Sequence, residues 1–161
     1  MSSFVAYVPT NPQHVEAFFE LAPLSPADVV YDLGSGDGRL VFAAIDHGTD
    51  EAVGVELDGD LVRKATKAAA KKGLGDRARF VQADVADVDL SSASVVFCYL
   101  TPQASAALKP KFERELRPGT RVVMESFPIP GWTPAQTTVR GYADYYETNE
   151  FYLYVIPSVT T

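Results

Sequence analysis

The chain is short of several things, and each shortage excludes a class of function. A single cysteine, Cys98, in 161 residues rules out an internal disulfide and with it the disulfide-stapled secreted scaffolds. Only two histidines, His14 and His47, accompany that cysteine, so no zinc-type ligand spacing exists and no metal site is expected. No run of about 18 apolar residues is present, so no membrane-spanning helix is expected. Pro9, Pro12 and Glu16 stand where a signal peptide needs an apolar stretch, and the expected compartment is the cytoplasm. Positive charge is scarce too. Fourteen Lys and Arg against 21 Asp and Glu leave a net charge of −7. That balance disfavours a grip on a phosphate backbone, so no specific nucleic-acid partner is expected; it favours encounter with a basic partner.

What is present reads as one globular domain over residues 1–161, with 47% hydrophobic and 22% charged residues. Apolar runs at Val29–Leu33, Ala52–Leu57, Arg79–Ala83, Val95–Leu100 and Arg121–Glu125 have the length of buried strands. Helical patterns lie between most of them. Asn11-Pro12 opens the first, Leu40, Val41, Ala44 and Ile45 face inward on the second, and Asp58 caps a third that Gly73 ends. Thr101-Pro102 opens a fourth, which Pro110 is expected to break, since its ring clashes with a preceding carbonyl. From Ser126 the pattern turns irregular and proline-rich. Two alternating strands then follow near Thr137–Tyr142 and Glu147–Ile156. The fold class implied is α/β: a Rossmann-like, seven-stranded, mostly parallel sheet with helices on both faces and a C-terminal antiparallel hairpin. Within it, residues 1–27 make an N-terminal segment and helix, 28–125 a core, and 126–161 a loop with the terminal hairpin.

The run Asp32-Leu33-Gly34-Ser35-Gly36-Asp37-Gly38-Arg39 carries the chemistry. A strand ends in an acid, glycines follow at alternate positions, and a helix begins. Glycine permits the tight turn and a close ligand approach, and the helix start is expected to offer free N–H groups. The turn therefore reads as a nucleotide-type cofactor site. The spacing departs from the dinucleotide pattern Gly-x-Gly-x-x-Gly, because Arg39 occupies the place of the third glycine, and Asp37 would repel a pyrophosphate. A nicotinamide oxidoreductase is thereby disfavoured. Further acids, Glu56 and Asp84, stand at the ends of the next two strands, where open parallel sheets bind ligands. Carboxylates suit S-adenosylmethionine, which has no phosphate: Glu56 for the ribose diol, Asp84 for the adenine amine, Asp32 for the ammonium.

These residues resemble the motifs of class I S-adenosylmethionine-dependent methyltransferases over about residues 28–125. Tyr7-Val8-Pro9-Thr10, the stretch Leu108–Val123, Gly131-Trp132-Thr133-Pro134 and Tyr152–Ile156 extend the likeness to nearly the whole chain. Together they resemble the family of small archaeal protein-lysine methyltransferases and their mitochondrial relatives, which methylate lysines in membrane proteins of energy metabolism. The resemblance implies S-adenosylmethionine as cofactor, S-adenosylhomocysteine as product, and a protein substrate with exposed lysines, basic or broad in character. A monomer is expected. The resemblance also implies a cofactor site of Tyr7, Val8, Pro9, Thr10, Asp32, Gly34, Ser35, Gly36, Asp37, Gly38, Glu56, Leu57, Asp84, Val85 and Tyr99, with Tyr7–Thr10 closing the methionine end. Tyr7, Tyr99, Thr101 and Trp132, with Phe127, are the candidates for the catalytic side. Aromatic rings can guide a lysine stem, although core packing explains Tyr99 equally well, and loop anchoring and helix capping explain Trp132 and Thr101 better. A small-molecule methyltransferase and a non-catalytic cofactor-binding module remain alternatives.

Overall fold

The structure is a computed structural model that describes residues 12–142 and 145–157. Tyr7, Val8, Pro9 and Thr10, and the expected cap Asn11, lie outside the described residues. Seven strands form one sheet: β1 (Val29–Leu33), β2 (Glu51–Glu56), β3 (Ala78–Gln82), β4 (Val95–Cys98), β5 (Arg121–Glu125), β6 (Gln136–Tyr142) and β7 (Tyr145–Val155). Their order is β3-β2-β1-β4-β5-β7-β6. The first five run parallel, and β7 joins β5 and β6 antiparallel, as the sequence pattern implies.

Among the described residues, four α-helices flank the sheet: α1 (Pro12–Leu21), α2 (Arg39–Asp46), α3 (Gly59–Lys71) and α4 (Pro102–Glu115). Strand alternation sends Val30, Ala52, Phe97, Val123 and Phe151 to one face, where Phe18, Val41 and Ala69 of the first three helices meet them. Leu33, Val55, Cys98, Val122 and Tyr154 go to the other face. There Leu108 and Phe112 of α4, with Leu90 and Ile129 from the connections, cover them. No helix joins β3 to β4 or β5 to β6, so loops roof much of this second face.

Helix ends follow the local chemistry. Asp58 accepts from the N–H groups of Asp60 and Leu61 at the start of α3. Gly48 and Gly73, both at positive φ, end α2 and α3. Gly48 N–H reaches Ile45 O and Thr49 N–H reaches Ala44 O, and the same double closure recurs at Gly73 and Leu74.

Pro110 departs from expectation, because it sits inside an unbroken α4. Its missing N–H leaves the carbonyl of Ala106 without its usual helical partner, but both residues face solvent, where water can serve that oxygen. Leu108, Lys111 and Phe112 are buried around it, and this packing holds the helix through the proline.

Candidate functional site

The strand order reverses between β1 and β4, and such a switch point opens a crevice at the carboxyl ends of the strands. Four of the five parallel strands bring an acid there. Asp32 is the next-to-last residue of β1, Glu125 and Glu56 end β5 and β2, and Asp84 lies two residues beyond the end of β3.

The Gly-rich turn leans on β2. Gly34 and Ser35 N–H donate to Val55 O, and Gly36 N–H donates to Glu56 Oε1 at 3.0 Å. Gly38 N–H returns to Ser35 O, and Arg39 N–H to Asp37 Oδ1. These donors are all spent on the protein itself. The start of α2 has no side-chain cap at Gly38, as the expectation of N–H groups facing a ligand there requires. Gly34, Gly36 and Gly38 take φ of 87°, 57° and 88°, a region costly for side chains with a Cβ. Opposite the turn, Gly54 is equally constrained: a Cβ there would stand 2.5 Å from Ser35 Oγ and 2.7 Å from Phe80.

Glu56 is buried and uses both oxygens, Oε1 for Gly36 and Oε2 for the N–H of Asp58 at 2.8 Å. Each oxygen keeps one lone pair for a ligand hydroxyl. Next to it, Gly34, Val55, Glu56, Leu57, Ala83, Asp84 and Val85 line a shallow cleft. Leu57 offers the cleft an apolar surface, 42% exposed. Asp84 is set by the N–H of Ala86, which its Oδ1 accepts at 2.9 Å. The loop that follows is tied to α4 by Leu90 N–H, which donates to Glu115 Oε2, and Lys111 Nζ of the same helix donates to the other oxygen.

Asp32 is also buried. Burial, then the charges of Glu56, Asp37 and Glu125, push its carboxyl up to about 8. Among the described residues no Lys or Arg forms an ion pair with it. A cationic ligand would relieve that site; an anionic one would aggravate it.

The remaining candidates divide. Asp37 lies at the rim and pairs with Arg39 at 2.6 Å. Tyr99 directly follows β4, one residue beyond the Leu33–Cys98 pair, and so borders the switch point. Thr101 caps α4, accepting from Ala104 N–H at 3.2 Å. Trp132 does not join the carboxylates. It packs against Phe112 and Tyr154 on the α4 face, and its indole N–H donates to Glu113. Buried Cys98 is a spectator, its thiol pushed well up by burial and by Asp32.

One group escaped the sequence reading. Glu125 ends β5 on the same sheet face as Asp32 and is buried with His14 of α1 and Asn149 of β7. Its signal was present: Val122-Val123-Met124-Glu125 is another apolar run that ends in an acid.

The family model described as the ANTKMT methyltransferase domain matches residues 32–136. A protein-lysine N-methyltransferase of Saccharolobus islandicus is 43% identical over 94% of this chain and 94% of its own. The adenine nucleotide translocase lysine N-methyltransferase of Mus musculus is 36% identical over 85% of this chain, which spans only 59% of that longer relative. Among solved structures, one described as an RNA methyltransferase from Salinibacter ruber in complex with S-adenosyl-L-homocysteine has a TM-score of 0.85 and 38% identity. It covers 96% of this chain and 97% of its own.

Proposed function

Since the chain belongs to the ANTKMT methyltransferase domain family, we propose that it transfers the methyl group of S-adenosylmethionine to the side-chain amine of lysine in proteins. The observation that carries this reading is the 43% identity to a protein-lysine N-methyltransferase across 94% of both chains. The crevice supports it independently, because its chemistry fits that cofactor and not a dinucleotide. Glu56 would take the ribose diol with its two remaining lone pairs. Leu57, Asp84 and Val85 would hold the adenine end in the cleft beside it. Asp32 would hold the ammonium, and Tyr99 and Thr101 would flank the incoming acceptor. Tyr7 to Thr10 would cover the methionine end.

When bound, S-adenosylmethionine supplies an electrophilic methyl on a sulfonium. The protein's part is to align and deprotonate the acceptor. A lysine amine has an ordinary pKa of about 10.4 and attacks only when neutral. Entry into a water-poor crevice beside a cation lowers that value, and alignment supplies much of the acceleration.

An RNA acceptor is the second reading, favoured by the description of the Salinibacter structure. Against it stands the net charge of −7, since each phosphate contact needs a cation to neutralise it. The test offers labelled S-adenosylmethionine to a histone mixture, to total RNA and to a metabolite extract, with mass spectrometry of each. Methylated lysine in protein is the expected product. Label in RNA or in a metabolite and none on lysine would overturn the proposal.

A further inference from the structure

Glu125 is 1% exposed, and strand alternation turns its side chain toward the same face as Asp32. From β7, Asn149 Nδ2 donates to its Oε2 at 2.7 Å, with Phe151 alongside in the same face. From α1, His14 Nδ1 lies 3.6 Å from the same oxygen. Its other oxygen, Oε1, is buried without a hydrogen-bond partner. From β1, Asp32 adds like charge, since Glu125 is among the groups that raise it. No cation compensates among the described residues. His14 is held below its ordinary value, first by burial and then by the nearby Arg140, so it is neutral at pH 7. Arg140 itself is paired with Glu20. Burial therefore pushes Glu125 up to about 7, with the Asn149 bond opposing.

An amide could tie α1 to β7 as well as this carboxyl does, and at lower desolvation cost. The strand also ends under strain. Ser126 has φ 70° and is the non-glycine residue at positive φ among those described. The N–H of Phe127 returns to Glu125 O, which closes a γ-turn of the rare positive-φ kind. Glu56 is compensated by two backbone N–H groups, but among the described residues Asp32 and Glu125 are buried with neither a cation nor a backbone donor, and the reaction brings two ammonium groups, the cofactor's and the acceptor's.

We propose that Glu125 is the catalytic carboxylate for the acceptor, neutralising the incoming lysine ammonium and taking its proton, with Asn149 and His14 holding it in place. The assignment rests on the lysine-transfer reading. The ammonium gives one proton to Glu125 Oε1. The freed nitrogen lone pair forms the N–C bond to the methyl as the C–S bond breaks, its electron pair staying on sulfur. Glu125 then returns its proton to water.

The test compares wild type with Glu125→Gln, using a histone mixture and S-adenosylmethionine across pH 6 to 9, with S-adenosylhomocysteine affinity measured by calorimetry. Wild-type kcat/KM should rise through a limb near pH 7. In Glu125→Gln the limb should vanish and kcat at pH 7 should fall by about a hundredfold or more, with affinity for S-adenosylhomocysteine kept within about threefold. An unchanged rate and limb, or affinity falling by the same factor as the rate, overturns the assignment. If Glu125→Gln does not fold, Asn149→Leu carries the test: losing its bond raises Glu125, so the limb must move above 7, and an unmoved limb overturns the proposal. A wild type that binds S-adenosylhomocysteine but labels no lysine removes the lysine reading itself. A wild type that labels lysine beside an unaffected variant removes Glu125 alone.

Discussion

Glu56 holds the turn and, in the proposed reading, the ligand as well, whereas Asp32 would serve the ligand alone; substitutions should separate these roles. Glu56→Gln replaces one oxygen by an NH₂ group that cannot accept from Gly36 or Asp58 N–H. A buried donor left without its partner costs about 1–3 kcal/mol, so this variant should lose that much stability in urea unfolding as well as cofactor affinity. Asp32→Asn has no such backbone duty. It should weaken cofactor binding by about 1–3 kcal/mol with no loss of stability at pH 8, and calorimetry with unfolding curves distinguishes the pair. Asp32 also sets a pH dependence. Its carboxyl sits at about 8 before the ligand arrives, and only the ionised form attracts an ammonium. Affinity should therefore rise by up to tenfold per pH unit from pH 6 toward 8 and then level off, with a proton released on binding below pH 8. Calorimetry in two buffers of different ionisation enthalpy reads that proton, and Asp32→Asn should abolish it.

Helices and strands carry their own tests, at the two positions where an element bears a cost. Pro110 leaves α4 one hydrogen bond short, a defect worth about 3 kcal/mol in a helix interior. Replacing it by Ala frees the unfolded chain by about 0.4–1 kcal/mol, so Pro110→Ala should raise stability by a net of about 2 kcal/mol, read from the urea midpoint. Gly54→Ala goes the other way: its methyl would displace Ser35 and Phe80, destabilising β2 against the Gly-rich turn and loosening the cofactor site with it. These contrasts mark what a sequence can and cannot disclose. The parallel strands were legible because each is a short apolar run closed by an acid or a turn, and Asp58, Gly48 and Gly73 announced their helix ends through local chemistry. Pro110 misled because tertiary packing by Leu108 and Phe112 outweighs a local rule. The destination of the turn's N–H groups was invisible, since Val55 and Glu56 come from a strand some twenty residues away. Trp132 lies in a segment without period, so nothing in its neighbours says which sheet face it joins. Glu125 needed only the pattern already used for Asp32 and Glu56, but its partners His14 and Asn149 come from opposite ends of the chain.

Across the whole molecule, stability and function occupy opposite ends of one sheet. At the amino ends of the parallel strands, Asp28 accepts from Ser94 Oγ at 2.8 Å and pairs with Arg121, whose other arm reaches Pro23 O. Burial works against Asp28, but the Ser25 and Ser94 bonds and the Arg121 charge hold it below its ordinary value, so its contribution is lost only as pH falls below about 4. At the carboxyl ends the sign is reversed. Asp32 and Glu125 lie raised at about 8 and about 7, so the stability their protonated forms contribute is full below about pH 4 and is lost as pH rises through those values. His14 is depressed, which costs stability only below its ordinary 6.5, leaving the window from pH 6.5 to 8 to the two carboxyls. Free of cofactor, the protein should lose stability across that window, with a slope of up to about 1.4 kcal/mol per pH unit for each group still titrating. Saturating S-adenosylhomocysteine, whose ammonium compensates Asp32, should restore more of the thermal midpoint at pH 8 than at pH 6.5. The double variant Asp32→Asn, Glu125→Gln should show a flat profile in the same window. A thermal midpoint of the unliganded wild type that is level or rising between pH 6.5 and 8 would mean that these carboxyls already have cationic partners. The matching of Asp32 and Glu125 to two incoming ammonium groups would then have to be abandoned.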